Sequence, residues 1–146
     1  MKHGHFEDVL YFKDLTTDED GIRLVLTRPL EYIDAEGTLR VVPEGFVTNL
    51  ASSPRIAWRI VPPWGSGNRA YVLHDWEYTI QRMSRLEADK LLQEAQYACD
   101  VATWKASLVY SAVRVGGFKA WNDVLPQQIQ EAREANSKGR YTRRIL

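Results

Sequence analysis

Two periodicities divide the chain. Up to about residue 50 the apolar positions alternate, as in IRLVLTRPLEYID (22–34) and TLRVVPEGFVTNL (38–50), both rich in β-branched residues and separated by the turn signal DAEG. These segments predict antiparallel strands, with Pro29 and Pro43 at strand ends where no ladder donor is needed. FEDVLYF (6–12) adds one more. After Ser53-Pro54 the spacing becomes helical. SPRIAWRIVPP is a short helix starting near Pro54 and stopped by Pro62-Pro63. A second helix runs from about Asn68, read as its N-cap, to Ile80. Ser84 and Glu87 form a capping box that opens a third, with Ala88, Leu91, Leu92, Ala95 and Cys99 as its apolar stripe. TWKASLVYSAVRV gives a fourth, ended by Gly116-Gly117, and Pro126 opens the amphipathic PQQIQEAREAN.

Strands first and helices afterwards imply an α+β fold: a small antiparallel sheet from the N-terminal half packed on a bundle of three to four helices from the C-terminal half. The expected division is a single domain over 1–125, with 126–146 as a C-terminal helix and basic tail.

Composition narrows the function classes. Nineteen basic and nineteen acidic residues cancel, which argues against a general grip on nucleic acid. Charge is uneven only at KGRYTRRIL, where Arg140, Arg143 and Arg144 stand without an acid and could dock another chain. Cys99 is the only cysteine and reads as a small buried hydrophobe, so no intrachain disulfide forms. No window is long and apolar enough to suggest a signal peptide or a bilayer span. Synthesis in the cytoplasm is expected. Five Trp and seven Tyr favour a protein partner, which could be a second copy of the chain.

Candidate chemistry centres on YVLHDWEY (71–78). A short connection makes the second and third helices antiparallel, which brings Asp89 level with His74. Tyr78 stands one turn from His74, whereas Asp75 points about 100° away. His-Asp-x-x-Tyr facing an Asp on a partner helix resembles, in this limited respect, the site of secreted phospholipases A2. That resemblance implies His74 as base, Asp89 as its orienter and Asp75 as a cation ligand. The many disulfides and glycine-rich calcium loop of those enzymes have no counterpart here. A zinc ion on His74, Asp75 and Asp89 is a second option, although adjacent helical residues diverge too far to share a metal easily. His3 and His5 are weaker ligand candidates. Against all of these stands a purely structural reading, a buried polar pair that satisfies its own hydrogen bonds.

GFVTNLASSPR, RAYVLHDWEY, SRLEADKLLQEA and YSAVRVGGFKAW, in this order and spacing over roughly residues 23–122, resemble a phage and prophage family catalogued as domain of unknown function 1353. Its usual pattern has Val-Thr-Asp-Leu-Ala-Ser where this chain has Asn49 between Thr48 and Leu50. With Thr48, Ser52 and Tyr78, Asn49 completes a candidate polar pocket around the catalytic candidates His74, Asp89 and Asp75. The resemblance implies first a virion-associated structural or accessory protein of a phage tail, tail tip or baseplate, contacting other virion proteins rather than nucleic acid or membrane. On that reading no cofactor is needed. A hydrolase of the host envelope using His74, with or without a divalent metal, is the alternative. A third is an intracellular phage protein acting on the host.

Overall fold

The computed structural model describes residues 2–17 and 21–137. Among these residues six short strands form two three-stranded antiparallel sheets, and six helices follow. One sheet has the order β1 (His5–Phe6), β4 (Leu30–Ile33), β5 (Leu39–Val42). The other has the order β2 (Phe12–Asp14), β3 (Leu24–Leu26), β6 (Val47–Thr48). The expected strand through IRLVLTRPLEYID is therefore two strands in different sheets. Pro29 has no N–H to continue a ladder, so the chain leaves one sheet at Leu26 and enters the other at Leu30. Likewise FEDVLYF is not one strand: it ends β1 and begins β2.

Alternation then does what the sequence pattern requires. Leu30 and Tyr32 point into the core while Glu31 between them is exposed. Tyr32 also ties its sheet to the helices, donating its hydroxyl to Glu94 while accepting from the Gly4 N–H at 3.1 Å.

The helices are α1 (Arg55–Ile60), α2 (Asn68–Ile80), α3 (Arg85–Ala98), α4 (Thr103–Gly116), α5 (Phe118–Asp123) and α6 (Pro126–Ser137). Ser84 caps α3 in a full capping box with Glu87, as its spacing predicts. Asn68 is the first residue of α2 rather than its cap, which is Gly67. Gly116-Gly117 does not stop the chain in a left-handed turn. Gly117 keeps a right-handed φ of −84° and leads directly into α5, a helix the sequence pattern does not announce.

Helix α2 is central. Ala70, Tyr71, Val72, Leu73, Trp76, Tyr78 and Ile80 are all buried, so its apolar residues face α3, α6 and the sheets together. Such a helix has no free polar face, and any charge on it must be satisfied within the fold. Helix α6 packs on α2 through buried Ala132. Arg133 there donates to the Ile80 and Gln81 carbonyls at 3.0 and 2.7 Å, satisfying the open end of α2. Cys99 is buried at the end of α3.

Candidate functional site

The site forms where the β6–α1 loop meets α2, α3 and α4. His74 is fully enclosed, and its Nε2 lies 2.8 Å from Asp89 Oδ1. The same oxygen accepts the Tyr78 hydroxyl at 2.7 Å. The other carboxylate oxygen of Asp89 takes Arg114 Nη1 at 2.6 Å and Arg85 Nη1 at 3.3 Å. Burial alone would push the Asp89 carboxyl up. Hydrogen bonds from His74, Tyr78 and Arg114 outweigh it and hold the group below the usual carboxylate range. An ionised carboxylate has only lone pairs to offer, so the hydrogen on His74 Nε2 points at Asp89. In the neutral ring this leaves Nδ1 as the acceptor.

Nδ1 faces the β6–α1 loop. Ser52 Oγ is 3.0 Å from it and Ser53 Oγ 3.5 Å. Leu50 holds the loop at a left-handed φ of 59°, an uncommon conformation for a side chain of this size. Its burial and the Leu50 N–H bond to Thr48 Oγ1 at 3.0 Å keep it there. The Thr48 hydroxyl donates in turn to Asp75 Oδ2. Ser52 also favours the charged form of Asp75, through its side chain and its backbone. Asp75 is half-buried, and desolvation raises its pKa despite help from Thr48, Ser52 and His74. Polar groups thus run continuously from Asp89 through His74 and Ser52 to Asp75.

The outer end of this chain opens into a cleft of about 730 Å³, whose lining includes Ser52, Asp75, Asn49, Tyr78, Arg23 and Lys119. Asn49 is exposed there. Its Oδ1 accepts the Ala51 N–H at 2.9 Å, and its amide nitrogen has no partner among the described residues. One wall is the α4–α5 junction, which passes so close over α2 that a Cβ on Gly117 would lie 2.5 Å from the Tyr78 hydroxyl. Trp121 packs edge-on against Tyr78 with ring centroids 5.1 Å apart.

His74, Asp89, Tyr78 and Ser52 therefore share one hydrogen-bonded network, and Thr48 and Asp75 form a bonded pair beside it. Asn49 lines the cleft without touching His74. Arg140, Arg143 and Arg144 lie outside the described residues. His3 and His5 are elsewhere, His5 pairing with Glu7. Among the described residues no group of three or more His, Cys, Asp or Glu is placed to hold a metal ion.

Several partners have no local sequence signal. Ser52 and Ser53 meet His74 across more than twenty residues of chain. Arg85 turns inward to Asp89 and also donates to the Val113 and Arg114 carbonyls at 3.1 and 3.2 Å, closing the end of α4. Arg114 had a readable sign, since a lone arginine among TWKASLVYSAVRV needs a counter-charge once the helix is packed.

The model of one protein family, described as a protein of unknown function (DUF1353), matches residues 24–113. The chain belongs to that family. The matched span holds Thr48, Ser52, His74, Asp75, Tyr78 and Asp89, and ends one residue before Arg114. No curated protein and no solved structure matches the chain.

Proposed function

We propose that this member of the DUF1353 family is a hydrolase of ester or amide bonds, with Ser52 as nucleophile, His74 as base and Asp89 as orienter. One observation carries the reading: Ser52 Oγ, on the cleft lining, lies 3.0 Å from His74 Nδ1, while Nε2 of the same ring is held by a buried carboxylate. In the reaction Ser52 Oγ attacks the carbonyl carbon and its proton passes to Nδ1. Asp89 stabilises the imidazolium so formed. Collapse of the tetrahedral intermediate then expels the leaving group, which takes the proton from Nδ1. Water repeats the cycle on the acyl-serine. The Leu50, Ala51 and Ser53 N–H groups are committed to Thr48, Asn49 and Leu50. The Asn49 amide, on the cleft lining, is a donor that would meet the developing oxyanion.

A fluorophosphonate probe and p-nitrophenyl butyrate test this directly. The wild-type chain should be labelled at Ser52 and turn over the ester; Ser52→Ala should do neither, and His74→Gln should retain less than about one part in a hundred of the rate. Folded wild-type protein that takes no label would sink the reading.

A second reading, an accessory component of a phage tail, draws on the outer face of α4. Trp104, Leu108 and Val115 stand at helical spacing there and are 61%, 48% and 79% exposed. Quantitative mass spectrometry of phage particles tests it. A fixed copy number per particle supports the reading, and absence from the particle removes it. The two roles are compatible in one chain.

A further inference from the structure

A second cavity adjoins the cleft at the β6–α1 loop. Its volume is about 470 Å³, and it is lined by Ile22, Asn49, Ala51, Ser53, Arg55 and Trp58 among others. Ile22, Asn49 and Ala51 line both cavities, so the two adjoin along the loop that carries the serines. Ser52 and Ser53 are both buried, Ser52 bordering the larger cavity and Ser53 the smaller.

Their charges differ. The larger cleft mixes signs, with Arg23 and Lys119 against Asp75 and Asp123, and Lys119 is paired to Asp123. No acid is among the described residues lining the smaller one, and its cation is Arg55. Arg55 is exposed, lies 5.9 Å from the centre of the Trp58 ring and has no carboxylate partner among the described residues. A guanidinium beside an indole ring matches an oxyanion attached to a small flat or apolar group.

Building on the hydrolase reading, we propose that the substrate is extended, crosses the Asn49–Pro54 loop, and carries a carboxylate or phosphate on the part that lies against Arg55 and Trp58. The enzyme would then act on a bond inside a chain-like molecule and use this charge to set which bond reaches Ser52.

Ser52→Ala protein, which cannot form the acyl-serine, separates binding from turnover. Three probes are titrated into it while the Trp58 indole N–H is followed by NMR: N-acetylglycylglycine for a carboxylate, N-acetyl-O-phosphoserinamide for a phosphate, and neutral N-acetylglycinamide. Saturable shifts with one or both charged probes support the proposal and identify the anion. Affinity should fall roughly tenfold in Ser52→Ala/Arg55→Gln, the loss expected for one charge-assisted contact. Arg55 is exposed at the start of α1, and a thermal melt of the variant confirms its fold. Equal binding of the neutral probe overturns the proposal, as does an unchanged affinity in the Arg55 variant or no saturable shift with any probe. Failure of Ser52 labelling in the wild type, with probe binding intact, would remove the catalytic reading alone.

Discussion

Asp89 and Asp75 flank one imidazole and meet opposite environments. Around Asp89 three helices deliver four donors, and the carboxylate stays ionised although no solvent reaches it. Around Asp75 the help comes from the end of β6 and the loop after it, burial dominates, and the carboxyl is pushed towards its neutral form at the edge of a cleft. Charge is thus fixed at the inner end of the network and disfavoured at the outer end. The inner end gives stability and a defined tautomer; the outer end sets a carboxyl that disfavours its charge beside the cleft.

The largest expected effect comes from breaking the inner end. Asp89→Ala strands the His74 and Tyr78 hydrogens and leaves Arg85 and Arg114 without their carboxylate. Such a loss costs about 3–5 kcal/mol, because buried charges and donors remain behind. Urea unfolding should show it as a lower midpoint at unchanged slope. A cost under about 1 kcal/mol would mean that α2, α3 and α4 hold together without this hub.

Ser52→Ala sharpens the contrast. It removes one partner each from His74 and Asp75 at the outer end, so the stability change should stay near 1 kcal/mol. Probe labelling and ester turnover should nevertheless be lost. A variant as unstable as Asp89→Ala would place Ser52 with the structural half.

Titration separates the two carboxylates by sign. Asp89 has a depressed pKa in the folded chain. Its contribution is present above the ordinary carboxylate value near ~3.9 and is lost as pH falls through the depressed one. Asp75 has a raised pKa. Its contribution is present below the ordinary value and is lost as pH rises through the raised one. Asp75→Asn should therefore remove a loss of stability on the upper side and leave the acid limb unchanged. Melting curves between pH 3 and pH 8 read both limbs, and a variant that steepens the acid limb instead would reverse the assignment.

What the sequence disclosed follows the range of each interaction. Helices α2 and α3 were legible nearly to the residue, since capping, periodicity and a short turn are local, and together they placed Asp89 opposite His74. The strand pairing was not. Pro29 marked a strand end, but nothing local says that the chain changes sheets there. Ser52 was placed near the site only as part of a polar pocket; its bond to Nδ1 depends on the left-handed Leu50 turn and on how α1 seats the loop, both tertiary effects. Helix α5 was missed because Gly116-Gly117 reads as a stop, whereas these glycines allow close passage over Tyr78 and Pro54.

The smallest effect on the fold is expected far from the network. Trp104→Ser with Leu108→Ser changes two exposed side chains of α4, and surface substitutions of this kind usually move stability within about ±0.5 kcal/mol each. Ser52 labelling should be unchanged too, because neither residue touches the loop, the cleft or Asp89. If the outer face of α4 seats the chain on a phage tail, the double variant should fold, react with the probe and still be depleted from purified particles. Normal incorporation would free this face from a docking role. Loss of labelling would instead show that α4 transmits strain to Arg114 and the hub, and the two regions would no longer be separable.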